Sequence, residues 1–358
     1  METVVCRSLW DGPWTSGEWN ELVRASATNT IFQTFQWHAA WWRSYGADYR
    51  PLVIAGLDGG RLRGIAPLMI SGDKRISFIG DGRSDFHDVI VAEPDKTAFL
   101  EAVFALLHGR RAEWDSIAFT NIPDSSTTVP TLSALCGRYR FFPLVQRDVV
   151  NHVLVVAGAE PEARAIMDRS ELRRRTNFFQ RRGVLKYSQL EDRATAEEYL
   201  PIFFAQHQKR WKRHLTRSIF ESSTNRQFYL ELLKELLPCR WLHWSLLEFD
   251  GKPIAFHFGF DYNGVLTWYK PSFEVAIANR SPGKVLLRHL IGYALENGRQ
   301  ELDFTVGDEA FKLRYKNRTR KNTNIVMFRQ QSLYYRILAF KQARAAARRV
   351  FHQFSFCR

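Results

Sequence analysis

Between Trp241 and Lys270 the chain has little choice but to fold back on itself twice. Trp241–Phe249 is apolar and aromatic, and Asp250-Gly251 follows it, a pair that accepts the positive φ of a tight hairpin turn. Ile254, Phe256, Phe258 and Phe260 alternate with Ala255, His257, Gly259 and Asp261, the period of a strand with two unlike faces. Asn263-Gly264 predicts a second turn, and Val265–Lys270 a third strand stopped by Pro271. A helix comes next. Ser281 suits its N-cap and Pro282 its first position. Leu286, Leu287, Leu290, Ile291, Ala294 and Leu295 keep helical spacing, and Gly298 ends the helix. Glu301–Val306 and Asn324–Arg329 read as further strands.

The first half repeats this order. Leu52–Leu57 and Leu62–Ile70 are strands around Asp58-Gly59-Gly60, Arg75–Ile79 and Val89–Val91 are short strands, Asp95–His108 is a helix, and Ser116–Thr120 is a strand. The repeat is one of pattern rather than of identical residues. It predicts an α/β (α+β) chain of two tandem domains, each a mixed, mostly antiparallel sheet flanked by helices. The expected division is a first domain over 1–160, a basic connecting helix over 161–190, a second domain over 191–332 and a basic amphipathic helix over 333–358. A length of 358 residues with 45% hydrophobic content is enough for two cores.

Charge narrows the choice of partner. Lys and Arg number 51 against 37 Asp and Glu, a net charge of +14, which suits a polyanion or a phosphate-rich cofactor. Arg173, Arg174, Arg175, Arg181, Arg182 and Lys186 crowd into the connecting segment, as a phosphate-facing wall or a solvated helix face. The tail alternates Ile337, Leu338, Phe340 and Phe351 with Arg336, Lys341 and Arg348, a pattern that packs on its own domain or lies on an anionic membrane surface. The four cysteines, Cys6, Cys136, Cys239 and Cys357, stand far apart and have no metal-ligand spacing. The N-terminal residues lack a basic segment followed by an apolar one, and no run of 18 apolar residues occurs, so the cytoplasm is the expected compartment, with peripheral contact at the inner membrane face as an option.

The segment Arg280 to Leu287 joins a turn to a helix start. Free N–H groups of Gly283, Lys284 and Val285, with Arg280 and Lys284 adding charge, make a pyrophosphate cradle at the positive end of the helix dipole. The same residues also make an ordinary helix cap. The corresponding turn of the first half, Glu93-Pro94-Asp95-Lys96, has no glycine and two carboxylates, so any such cofactor belongs to the second half.

These features resemble the GNAT acyl-CoA core, in which Arg/Gln-x-x-Gly-x-Gly/Ala precedes the helix: Arg280 and Gly283 match, and Val285 departs at the last small position. Three further segments, Trp268-Tyr269-Lys270-Pro271-Ser272-Phe273, Ser281-Pro282-Gly283 and the run from Asp303 to Lys312, resemble the CelD-like (BcsL) acetyltransferases of the BioF2-like and FemAB-like group. Phe35-Gln36-Trp37, Trp41-Trp42, Ser84-Asp85-Phe86-His87-Asp88 and the run from His207 to Trp211 resemble the same group. The resemblance implies acyl transfer from acetyl-CoA or another acyl-CoA to a small-molecule or glycan acceptor, and a link to cellulose or exopolysaccharide production. Fem relatives use aminoacyl-tRNA instead, which is the alternative implied here, beside a non-catalytic scaffold of polysaccharide synthesis. It also implies that Lys312, after Phe311, stabilises charge on the reacting carbonyl.

Asp308 and Glu309 are candidates to take or relay a proton, or they pair with Arg314 and Lys316. His257 titrates in the right range for a base, although a strand histidine is commonly structural. Asp303 is placed to orient its neighbours. Asp85, His87 and Asp88 follow a glycine-rich stretch and suit an acceptor's hydroxyls; no metal is expected there. Arg173 offers charge to a substrate, and Trp211 and Tyr269 suit a sugar ring or the thioester arm. No Gly-x-Ser-x-Gly elbow occurs, so direct attack on the donor is expected rather than an acyl-enzyme.

Overall fold

The structure is a computed structural model and describes residues 1–212 and 217–338. The first half runs β1 (Glu2–Cys6), α1 (Ser16–Ala25), α2 (Phe35–Tyr45), β2 (Tyr49–Asp58), β3 (Arg61–Ser71), β4 (Arg75–Phe78), β5 (Ile90–Val91), α3 (Glu93–Gly109), β6 (Ser116–Pro123), α4 (Thr128–Tyr139) and β7 (Phe142–Val155). The second runs α5 (Glu160–Met167), α6 (Ser170–Gln180), β8 (Leu185–Gln189), α7 (Arg193–Trp211), α8 (Ser223–Leu236), β9 (Leu242–Phe249), β10 (Lys252–Tyr262), β11 (Val265–Phe273), α9 (Pro282–Glu296), β12 (Glu301–Val306), α10 (Ala310–Tyr315) and β13 (Arg318–Phe328). The stretch between the halves is thus two helices broken at Asp168-Arg169, then a strand, where the sequence suggested one helix. The expected tail helix lies mostly outside the described residues.

Each half carries one parallel pair, β4 with β6 and β11 with β12, bridged by the crossover helices α3 and α9. All other pairings are antiparallel, and the strands join in one sheet in the order β1-β2-β3-β4-β6-β13-β7-β12-β11-β10-β9-β8, with β5 on β3. The last strands are exchanged: β13 lies between β6 and β7, and β7 lies between β13 and β12. Each half therefore needs the other's final strand to continue its ladder.

Pro271 does not stop β11, which runs on to Phe273 with Pro271 opposite His257. The reason is that β12 pairs with β11 only over Val265–Thr267, so the later part of β11 has an open side where a residue without an N–H is tolerated. Beyond Thr267 and Asp303 the two strands part.

One face of the sheet is covered by α3 and α4 in the first half and by α5, α6 and α9 in the second. The other face holds a core common to both halves. Trp19, Trp37 and Trp41 of α1 and α2 pack there with Phe203, Phe228 and Tyr229 of α7 and α8 and with Phe256, Phe258 and Phe260 of β10. Trp37 meets Phe228 and Phe260 edge-on at 5.4 and 5.6 Å, the arrangement that aromatic quadrupoles favour.

Candidate active site

Where β11 and β12 part, the chain turns sharply. Thr305 has φ +62 and Gly307 has φ +128, and the β12–β7 register slips between Asp303 and Val306. Asp303 steadies the turn by accepting the Thr305 N–H at 2.7 Å. At Gly307 an added Cβ would stand 2.5 Å from the Glu309 carboxylate and 3.1 Å from Lys312 Nζ, so this position needs glycine on both conformational and steric grounds. The turn delivers Lys312, on α10, back under the strand ends. The first half has a matching irregularity in β6, Asn121 at φ +55.

The parted strands line a cavity of about 540 Å³ between the halves. Arg83 and Asp85 enter it from the first half, and Tyr269, Lys270, Glu309 and Lys312 from the second. Lys312 is 3% exposed. Its ammonium donates to the carbonyls of Thr305 (3.2 Å) and Val306 (3.0 Å) and pairs with Glu309 at 2.7 Å. Two partners are fixed backbone, while Glu309 is 58% exposed and can leave. Burial pushes the Asp85 carboxyl up to about 6, against the attraction of Lys270 and Lys312. Burial also lowers the Lys270 ammonium, and Lys270 sits 5.1 Å over the Tyr269 ring. Tyr269 is pinned by donating its hydroxyl to the Arg83 carbonyl at 3.0 Å. On α7, Arg210 donates to the Pro271 carbonyl at 3.1 Å, and Trp211 lines the cavity, its ring stacked on His207.

Not all the candidate residues meet here. His257 is fully buried, stacked on Trp268 and beside His243; burial holds it far below its ordinary value, and it does not line the cavity. Its strand face lies under α9, so it is core rather than base. Asp308 points away to His152 (3.0 Å), and of these two neighbours it is Glu309 that lines the cavity. Asp88 is wholly buried: it accepts from Thr28, Ser126, Thr128 and the Val89 N–H and is 3.4 Å from the buried Lys96 ammonium, a structural network with no room for a substrate. His87 is inside as well, stacked on Phe78, with its proton affinity lowered by burial. Asp85 alone of that trio reaches the cavity. Arg83 and Lys270 were not among the candidate site residues; Arg83 directly precedes the quoted Ser84–Asp88 run, and Lys270 lies within the quoted Trp268–Phe273 run.

The expected cradle at α9 is also different in detail. Ser281 occupies the N-cap in the left-handed region and makes no side-chain cap. The Lys284 and Val285 N–H groups donate to the Ser281 carbonyl, Val285 is buried, and the Lys284 ammonium pairs with Glu171 of α6. Arg280 instead lies over the Phe178 ring at 4.4 Å. Phe178 also borders a groove of about 430 Å³ on α6 lined by Arg173, Arg174, Arg181 and Arg182, and Arg175 donates to the Asn279 carbonyl. Positive charge at this corner therefore belongs mainly to α6. Among the described residues no cluster of His, Cys, Asp or Glu suits a metal ion, and no helix is long and apolar enough to cross a membrane.

Residues 168–316 match the family model described as an acetyltransferase (GNAT) domain. No curated protein sequence matches the chain. Among solved structures, FemX superposes with a TM-score of 0.65 at 12% identity, covering 94% of this chain and 100% of that one. The C-terminal domain of a putative lysylphosphatidylglycerol synthetase from Agrobacterium fabrum gives 0.56 at 14% identity, covering 90% and 94%. A tandem GNAT protein from the clavulanic acid biosynthesis pathway gives 0.52 at 12%, covering 90% and 97%. The architecture is thus a mixed α/β, tandem GNAT-like fold, as the repeat of strands and crossover helix predicts.

Proposed function

We propose that this chain is an acyltransferase that works in the cavity where β11 and β12 part, with Asp85 as proton acceptor and Lys312 as the group that receives charge from the donor's carbonyl oxygen. One observation carries the reading: a carboxylate from one half and a buried ammonium from the other face the same cavity at the strand split. The acceptor's hydroxyl or amine attacks the acyl carbon and loses its proton to Asp85, whose raised proton affinity suits a base near neutral pH. Negative charge grows on the carbonyl oxygen, and Lys312 meets it by releasing Glu309 while its two backbone partners hold it in place. The acyl–donor bond then breaks and the donor leaves.

The donor is a phosphate-bearing acyl carrier. An acyl-CoA supplies an activated thioester; the Gly283 N–H, Arg280 and the α6 arginines are the groups that would hold its phosphates, while Lys284 is already committed to Glu171. That commitment supports a second reading, an aminoacyl-tRNA whose backbone lies along α6. The acceptor class proposed is a sugar or polysaccharide precursor. Thermal unfolding separates the donors, because a ligand bound only to the native state raises the melting temperature. Acetyl-CoA is expected to raise it and Lys312→Met to leave that rise intact. A rise with charged tRNA alone would promote the second reading, and no rise with either would refute both.

A further inference from the structure

A second cavity, of about 630 Å³, lies on the sheet face at the seam between the halves. Its floor includes Thr267 of β11, Asp303 of β12 and Asn322 of β13, and its wall is formed by Phe32, Phe86 and Tyr262. Only a thin partition divides it from the catalytic cavity. Along the loop after β4, Asp85 faces one and Phe86 the other; along β12, Asp303 faces one and Phe304 and Thr305 the other; along β11, Thr267 faces one and Trp268 the other.

The polar groups of this cavity are unevenly satisfied. Arg320 is held by Glu301 through both guanidinium nitrogens, Lys321 pairs with Asp148 at 2.6 Å, and Asp124 accepts from Thr323 at 2.8 Å. Asp303, 4% exposed, makes no ion pair among the described residues. It accepts only the Thr305 N–H and a longer contact from the Asn151 amide at 3.4 Å. The carboxamide oxygen of Asn322, 1% exposed, has no partner among the described residues, and neither has that of Asn151. The floor is therefore rich in acceptors, and its Asp303 carboxylate makes no direct ion pair among the described residues, Arg320 being taken up by Glu301. Such a site complements a ligand that brings hydrogen-bond donors and a positive charge, because a buried charge is stable only when paired. The three rings opposite suit the apolar face of a saturated ring. Burial, with repulsion from Glu301, pushes the Asp303 carboxyl up to about 7, against the attraction of Arg320.

Building on the acyltransferase reading, we infer that this cavity is a second ligand site beside the catalytic one and takes an amine-bearing, hydroxyl-rich molecule of sugar size, with Asp303 gripping its ammonium group and Asn322 its hydroxyls. The test uses glucosamine and glucose, which differ in that amine, titrated calorimetrically at millimolar concentrations into the full chain. Glucosamine is expected to bind at least tenfold more tightly than glucose, and Asp303→Asn to remove that preference. Phe86→Trp, which fills the cavity and spares its polar floor, is expected to abolish binding of both sugars, and it decides the matter if Asp303→Asn fails to fold. Equal binding of the two sugars, absence of binding to the wild type, or an unchanged preference in Asp303→Asn would each overturn the assignment. Asp85→Asn separates this claim from the one it rests on: glucosamine binding that persists while transfer is lost supports both. Transfer that persists in Asp85→Asn sinks the catalytic reading alone.

Discussion

Replacing Asp85 by Asn should stabilise the protein and stop it working, and the two effects follow from one number. The carboxyl is raised from 3.8 to about 6 by burial, a figure already net of the pull of Lys270 and Lys312. A shift of roughly 2 units corresponds to about 3 kcal/mol between protonation states. The sign follows from linkage: a carboxyl with raised proton affinity binds its proton more tightly in the native state than in the unfolded one. The stability of the protonated form is complete below pH ~4 and is lost as pH rises through about 6. Asn mimics the protonated acid at every pH. Asp85→Asn should therefore exceed wild type by up to about 3 kcal/mol at pH 8, an upper bound for a half-buried side chain, and by about half of that at pH 5. Urea unfolding at the two pH values measures the difference. Acyl transfer should fall ~10²–10⁴-fold in the same variant, and the wild-type rate should climb with pH to about 6 and then level off. A variant less stable than wild type at pH 8, or a stability difference that does not change with pH, would refute the argument that Asp85 is a strained base.

Lys312→Met should lower turnover by ~10²–10³-fold with little effect on donor affinity, whereas Glu309→Gln, which loosens the third contact of Lys312, should leave turnover equal or higher; steady-state kinetics with separate KM and kcat distinguish them. Gly307→Ala must place a Cβ at φ +128 and within 3.1 Å of Lys312 Nζ, so it should lose both stability, by ~1–3 kcal/mol, and turnover, read by unfolding and by kinetics. Lys96→Met leaves Asp88 buried without its ammonium and should cost ~3–5 kcal/mol in chemical unfolding; an effect on KM without that loss would show that the Asp88 network touches substrate after all.

Local signals carried over well from sequence to structure, because they depend on neighbours in the chain. Asp250 and Asn263 take φ +49 and +51 in the two predicted turns, and Glu301–Val306 is a strand over the expected residues. What depended on distant partners did not carry over. The exchange of β13 and β7 rests on ladders between residues such as Asn322 and Val149, and nothing near either residue announces the other. His257 shows the limit of strand periodicity. Its alternation correctly separated two faces of β10, but both are buried, one under α9 and one against the shared aromatic core, so the polar face was not the wet one. One member of the cradle at α9 was hidden for a similar reason: Lys284 pairs with Glu171, 113 positions away. In the loop after β4, Asp85 and Asp88 look equivalent as letters, and only the placement of Lys96 and Lys312 separates them into a structural acid and a candidate base.

The exchange of strands bears directly on that candidate base. Asp85 and Lys312 come from different halves, so their approach is only as constant as the seam between the halves. Three features fix that seam. β13 is laddered on both sides by first-half strands, the helices α2 and α8 pack in one aromatic core, and Asn322 of β13 donates to the Asp85 carbonyl. Moving Asp85 from Lys312 would require breaking ladder hydrogen bonds along β13 and opening a core built on Trp37, Phe228 and Phe260. Preorganisation of this kind is what electrostatic stabilisation of a developing charge needs, since a donor that must first travel loses the advantage. The first half thus contributes through placement: its loop after β4 carries the candidate base, and β13, the other half's final strand held between β6 and β7, fixes that loop through Asn322.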